Sequence, residues 1–299
     1  MYKELDSCSL CPRLCGANRN NNEVGLCGFD NKLFVAKSML HMWEEPPISG
    51  TRGSGAIFFS GCNLKCIYCQ NYKISSLNFG KEITVENLAK IMLDLEKKGA
   101  HNINLVTPTH YILHIRNAIK LAKKKGLKIP IVYNSSGYES VNSLKMLDGL
   151  IDIYLPDLKY FDDINAMKYS KAFNYFNTAI DALDEMYKQV GKVKFDKDGI
   201  MKSGMIVRHL ILPGLSDDSK NILRYLHGTF GDNIYISIMN QYTPLEQVKN
   251  IDLLNRQVTK KEYDDILNFA IKLGINNCFI QDGSASCKDF IPDFNLEGV

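Results

Sequence analysis

The chain has 299 residues, 45% hydrophobic and 23% charged, which is ordinary for a folded protein with a sizeable core. A net charge of +3 is too small to draw nucleic acid or an anionic membrane surface, and no run of about 18 apolar residues offers a transmembrane helix. The opening MYKELDSCSL lacks the apolar stretch of a signal peptide, so the expected location is the cytoplasm, where thiols stay reduced.

Residues 1–50 differ from the rest. They hold Cys8, Cys11, Cys15 and Cys27, the turn-rich GANRNNNEVG, a strand-like run (Leu33–Leu40) and a stiff EEPPISG connector. So few apolar residues form no core of their own. The segment reads as a small metal-stapled unit and link, ahead of a domain spanning 51–299. Seven of the nine cysteines lie in the first 69 residues, and clustered cysteines in a reducing compartment read as metal ligands before disulfides.

From residue 51 strands and helices alternate. AIFFS (56–60) is a short apolar strand. TVENLAKIMLDLEKKGA (84–100) has apolar residues at helical spacing, Thr84 as N-cap and Gly99 near its end. NINLV (102–106) is a strand. HYILHIRNAIKLAKKKG (110–126) is a helix, with Lys123–Lys125 suiting the negative end of its dipole. IPIVYN (129–134) is a strand, SVNSLKMLDG (140–149) a short helix and IDIYL (151–155) a strand. SKAFNYFNTAIDALDEMYKQVG (170–191) reads as one long helix. The strands MIVRHLIL (205–212) and NIYISIM (233–239) flank a helical SKNILRYLHGTF. A last helix, TKKEYDDILNFAIKLGI, precedes the strand NCFIQ (277–281). Such alternation implies parallel pairing through right-handed crossovers. Six or seven units predict an α/β fold, a partial TIM-like (β/α)6 barrel with a small Cys-rich N-terminal segment. Chemistry in such barrels sits at the C-terminal ends of the strands. Here those ends carry GCNLKCIYCQN, TPTH, NSSG, PDLKY, PGLSD and NQYTP.

Cys62-x3-Cys66-x2-Cys69 directly follows the first of these strands. Three closely spaced thiolates bind three corners of a cubane cluster and leave one iron open. A closed zinc site takes four ligands, so the zinc alternative needs a remote fourth.

A C-x3-C-x2-C loop after the first barrel strand resembles the radical S-adenosylmethionine (SAM) superfamily. The resemblance implies a 4Fe-4S cluster whose open iron chelates the amino and carboxylate groups of SAM. An electron then breaks the C5′–S bond, and the resulting 5′-deoxyadenosyl radical takes hydrogen from a substrate. FFSGCNLKCIYCQN, the DLK of PDLKY, and VRHLILPG resemble the activating enzymes of glycyl radical enzymes, the pyruvate formate-lyase activase group. CPRLCGANR, EEPPISG, NINLVTPTH, YLPDLKY and RHLILPG together are similar to its PflX-like subfamily. That resemblance runs through nearly the whole chain. It implies an oxidoreductase acting on a protein or peptide, fed by a flavodoxin or ferredoxin-like donor.

Site roles follow from the same resemblance. Tyr68 matches the aromatic that packs near the adenine. Asp157 and Lys159 match the activase D-x-K, with Lys159 facing the SAM carboxylate and Asp157 ordering the loop or reaching the ribose. Thr107 and Thr109 occupy the place of a Gly-Gly-Glu segment that holds the SAM amino group in relatives. Here their hydroxyls and carbonyls accept from the ammonium, or His110 simply begins the next helix. Asn134, Ser135 and Ser136 fall near the ribose hydroxyls. Arg208, within an apolar strand, must find a partner, and the SAM carboxylate is one candidate. His209 points to the helix layer. Gln241 stands where the activase has a histidine.

The four N-terminal cysteines, flanked by Gly16, Gly25 and Gly28, have the pattern of a closed site. Structural zinc and a second cluster both fit, with disulfides as the minor alternative. Cys278 and Cys287 read as buried free thiols. His41, Glu44 and Glu45 either close over the cleft or form a solvated turn. Three functions compete: a protein- or peptide-directed activase-like enzyme, a radical SAM enzyme acting on a small molecule, and a non-catalytic electron-transfer protein.

Overall fold

The structure, a computed structural model, describes residues 2–281 and 292–299. A Cys-rich coil with two single-turn 3-10 helices leads into β1 (Leu33–His41). This strand pairs antiparallel with β2 (Ser54–Phe59) and with β3 (Lys81–Ile83). Between β1 and β2, the proline pair opens the short helix α1 (Pro46–Ser49), because proline suits the first helical turn. A single turn, α2 (Tyr72–Ser75), follows the Cys62–Cys69 loop.

A run of crossovers comes next: α3 (Val85–Lys97), β4 (Ile103–Val106), α4 (Ile112–Lys124), β5 (Ile131–Ser135), α5 (Val141–Lys145), β6 (Ile153–Pro156), α6 (Asp163–Ser170), α7 (Tyr175–Val190), β7 (Lys194–Phe195), β8 (Met201–Leu210), α8 (Ser216–Phe230), β9 (Tyr235–Met239), α9 (Lys260–Leu273) and β10 (Cys278–Ile280). The helices start where capping dictates. The Thr84 side chain accepts from the Asn87 amide ahead of α3, and Thr259 and Glu262 form a capping box on α9.

The expected helix over 170–191 starts five residues later, at Tyr175. Lys171 (φ 51°) and Asn174 (φ 48°) are left-handed and break the backbone, so α6 ends at Ser170 and α7 begins at Tyr175.

β2, β4, β5, β6, β8, β9 and β10 are parallel neighbours in that order. Among the described residues no pairing joins β10 to β1 or β3, so the barrel is partial. Period-2 alternation divides its strands. Ile57, Leu105, Tyr133, Tyr154 and Val207 join the core beneath the helices. Their neighbours Ala56, Phe58, Val106, Val132, Leu155 and Ile206 form two smaller inner clusters. Leu5, Leu10 and Phe29 of the N-terminal segment share the helix-side core.

The EEPPISG segment corrects an expectation. Beyond lining the cavity with Glu44, it fills the inside of the barrel. Ile48 is wholly buried among Val132, Ile153, Leu155 and Ile206. Asn102 Nδ2 donates to the Ile48 carbonyl at 2.7 Å, and the Ser54 hydroxyl donates to Asn102 Oδ1 at 2.6 Å. Residues 292–299 lie along β1, where the Leu296 amide donates to Ala36 and the Ser38 amide to Glu297. Phe294 joins the inner cluster of Ala36, Phe58 and Val106. No helix of the described residues is long and apolar enough to cross a membrane.

Candidate active site

A cavity of about 320 Å³ runs through the barrel from the Cys62–Cys69 loop to the inserted segment. The loop turns at Gly61 (φ 86°), where a Cβ would stand 2.7 Å from both the Cys27 carbonyl oxygen and the Phe29 ring. Only glycine fits there. The Cys62 amide donates to that same carbonyl at 3.3 Å.

All three loop cysteines line the cavity, and each sulfur accepts a hydrogen bond. The donors are the Leu64 amide to Cys62 (3.4 Å), the Ser170 hydroxyl to Cys66 (2.9 Å) and the Ser75 hydroxyl to Cys69 (3.3 Å). Burial, then its two neighbouring thiols, pushes Cys62 up to about 12. Burial and Cys66 likewise push Cys69 upward. Such thiols are costly to ionise alone, and a soft metal that displaces their protons removes that cost. Three donor-supported sulfurs on one wall therefore fit three corners of a cubane. Among the described residues no set of three or more His, Cys, Asp or Glu is drawn to the spacing of a single ion. A cubane spreads its thiolates over separate irons.

Beside the sulfurs runs a chain of buried charges. Lys159 Nζ donates to Asp157 Oδ2 at 2.6 Å, and Arg208 Nε donates to Asp157 Oδ1 at 2.9 Å. Arg208 Nη1 reaches Glu44 Oε2 at 3.2 Å, and Nη2 donates to Asn134 Oδ1 at 2.5 Å. Glu44 Oε1 accepts from Asn104 Nδ2 at 2.8 Å and Asn134 Nδ2 at 3.4 Å. Burial pushes the Asp157 carboxyl up, but Arg208 and Lys159 outweigh it and hold the group below the usual carboxylate range. Burial dominates at Glu44 and Glu45 and leaves both raised.

Arg208 needs correcting as a free anchor for a ligand carboxylate. Three of its five N–H donors are engaged, two of them by the chain's own acids Asp157 and Glu44, so its charge is already matched before any ligand arrives. Lys159 gives one of its three protons to Asp157 and keeps donors facing the cavity. Glu44, expected either over the cleft or in a solvated turn, stands in the cavity wall. Its pairing with Arg208 was not foreseen from the sequence.

Tyr68 lines the cavity, its hydroxyl 2.6 Å from that of Tyr160 and its ring 6.1 Å from that of Tyr242. Thr107 also lines it, with a φ of 61°. A β-branched residue is strained there, and such strain is characteristic of working sites. Asn134, Ser136 and Gln241 stand on the same wall. The Ser136 hydroxyl is buried without a partner, while Gln241 accepts from Gln281 at 3.2 Å.

Thr109 is a further correction. It is fully buried on the helix side and donates to Glu139 Oε1 at 2.6 Å. His110 likewise starts a helical turn, Thr109–Tyr111, and its Nε2 lies 2.8 Å from the Ser60 carbonyl. His209 bridges the Leu158 carbonyl and Ser219 on the helix side. Cys278 is a free, part-buried thiol, and Cys287 lies outside the described residues.

Burial pushes Glu139 up to about 7, despite hydrogen bonds from Thr109 and Tyr133. The folded state therefore holds a proton that the unfolded chain releases above its ordinary value of 4.5. Stability should fall as pH rises from there through about 7, by an amount on the order of 3 kcal/mol. Glu139→Gln should remove that slope in urea titrations, and an unchanged slope would count against a protonated Glu139.

An open parallel barrel that presents three thiols and a buried charge chain to one cavity is built for a cubane with a free iron. It defines a class of cluster-bearing radical enzymes. A family model described as the Radical SAM superfamily matches residues 56–226, more than half of the sequence. The chain belongs to the radical SAM superfamily, whose members bind a 4Fe-4S cluster and SAM and catalyse radical chemistry.

An uncharacterized protein of Methanocaldococcus jannaschii is 29% identical over 280 residues, covering 90% of this chain and 76% of that protein. A pyruvate formate-lyase-activating enzyme of Clostridium pasteurianum is 28% identical over 181 residues, 56% of this chain and 65% of that enzyme. Streptococcus suis SuiB bound to its precursor peptide SuiA aligns with a TM-score of 0.51 at 12% identity, over 74% of this chain and 46% of SuiB. The FeFe-hydrogenase maturase HydG of Carboxydothermus hydrogenoformans aligns at 0.52 and 10% identity, over 79% and 56%. The chain spans about half the length of these two structures, and the likeness to them is one of fold.

Proposed function

We propose that this enzyme abstracts hydrogen from a protein or peptide, in the manner of the glycyl radical enzyme activases. The observation that carries the reading is the size of the cavity. About 320 Å³ lies at the small end of single-ligand pockets, which span roughly 300–1,000 Å³. With a cluster and SAM both to be housed there, so small a cavity favours a substrate that presents a small group at the mouth and keeps its bulk outside. The relationship to a pyruvate formate-lyase-activating enzyme supports the same substrate class.

Cys62, Cys66 and Cys69 would hold the cluster, which when bound supplies the electron for reductive SAM cleavage. A flavodoxin or ferredoxin-like protein is the proposed donor. Lys159 would hold the SAM carboxylate through a charge-assisted hydrogen bond. The unpartnered Ser136 hydroxyl, with Asn134, would meet the ribose. Tyr68 and Tyr242 would enclose the adenine, and Gln241 the far side of the site. Cys8, Cys11, Cys15 and Cys27 would hold a second metal centre.

The test uses reduced, cluster-replete enzyme, SAM, and proteins from an anaerobe grown on deuterated glycine. Deuterium should enter 5′-deoxyadenosine, and a stable carbon-radical resonance should appear on a protein. Label-free cleavage that only the small-molecule filtrate accelerates would transfer the assignment to a metabolite substrate.

A further inference from the structure

Arg19 lies between Cys15 and Cys27 and is 1% exposed. Its Nε and Nη2 donate to the Asp30 carbonyl at 2.9 and 2.7 Å, and its Nη1 to the His110 carbonyl at 2.9 Å. Among the described residues it makes no ion pair with a carboxylate; the one ionisable acceptor it touches is the Cys8 sulfur, 3.8 Å from Nη1. A buried guanidinium without a counter-charge is costly. Carbonyl dipoles orient it but leave its net charge unmatched.

The thiols converge on that charge. Gly25 carries no side chain where a Cβ would meet Cys27 Sγ at 3.3 Å, Cys15 Sγ at 3.5 Å and Arg19 Cδ at 3.8 Å. Cys8, Cys11 and Cys27 are buried. Cys11 is within electrostatic reach of Cys8 and Cys27, and Cys27 within reach of Cys8, Cys15 and Arg19.

We infer that Cys8, Cys11, Cys15 and Cys27 hold a dianionic tetrathiolate metal centre, and that Arg19 is its built-in counter-ion. The inference rests on the second metal centre proposed above and adds a buried cation that offsets one of its two negative charges. Zinc with four thiolates and an oxidised four-iron cluster with four thiolates carry the same two negative charges, so Arg19 would offset either, although the four sulfurs are not drawn to the spacing of a single ion, which favours the cluster. The centre also abuts the radical loop, since the carbonyl of its ligand Cys27 accepts from the Cys62 amide.

The test uses full-length protein carrying Cys62, Cys66 and Cys69→Ala, so that only the N-terminal centre remains. Metal analysis should find iron or zinc, and further replacement of the four N-terminal cysteines by serine should remove it. Arg19→Gln keeps hydrogen-bond donors but drops the charge, whereas Arg19→Lys keeps the charge. Release of metal to a chelator should be about 10-fold faster or more in Arg19→Gln, the worth of a charge-assisted contact, and near the parent rate in Arg19→Lys. In denaturant titrations, Arg19→Gln should destabilise the loaded protein yet be neutral or stabilising once the metal is stripped. An equal effect on both forms, or parent-like release from Arg19→Gln, overturns the counter-ion while leaving the metal centre. Unchanged metal after loss of the four cysteines overturns both.

Discussion

Replacing Cys62, Cys66 and Cys69 together with alanine should abolish reductive SAM cleavage. Enzymes supply accelerations of roughly 10⁶-fold or more, so the loss should reach background. Among the described residues no other sulfur lines the cavity except Met239, a thioether that does not take the place of a thiolate. The expected measurement is 5′-deoxyadenosine formation under dithionite, together with loss of the reduced-cluster resonance. Ser75→Ala and Ser170→Ala provide the contrast. They remove hydrogen bonds to Cys69 and Cys66 but no ligand, so iron should stay while the reduction potential moves. SAM cleavage by the triple variant would refute the assignment of this loop.

The second large effect belongs to Arg208. Arg208→Met leaves Asp157 and Glu44 buried beside a thioether, and breaking a buried ion pair in this way costs about 3–5 kcal/mol. The loss should appear in the protein without SAM, as a lowered urea midpoint. It should shrink as pH falls, because protonated Asp157 and Glu44 no longer need the guanidinium. Adding Glu44→Gln should recover part of the loss, and that non-additivity measures the coupling. An arginine whose sole task was to meet a ligand would leave the ligand-free stability unchanged.

Much of this site could be read from residue order alone. Cys62, Cys66 and Cys69 lie within one loop, and the D-x-K directly follows a strand, so local spacing fixes their neighbourhood. Arg208 was recognisable as a buried cation in need of a partner. One of the two acids that answer it, Glu44, lies 164 residues earlier in the chain, and no periodicity reports that pairing. Thr109 misled because two hydroxyls bracket Pro108. The backbone turns between them, so one faces the cavity and the other meets Glu139. The start of α7 was misplaced for a similar reason, since apolar residues continue across two left-handed residues, Lys171 and Asn174. The break they make matters, because Ser170, the last residue of α6, reaches the Cys66 sulfur.

The segment inside the barrel also bears on how the chain folds. Ile48 packs on Ile206, and Glu44 meets Arg208 across 164 residues. During synthesis at about 5–20 residues per second, the segment waits on the order of 10–30 s before β8 emerges to receive it. Until then Ile48 and the inward faces of β5 and β6 lack the cover of Met201 and Ile206. Pairings so distant along the chain close slowly, and the last strands must shut around an insert already in place. Completion of the sheet and the final seating of residues 44–49 should thus come together, late in folding. Substitutions at Ile48 should therefore cost yield of soluble protein during expression before they cost activity in the molecules that do fold.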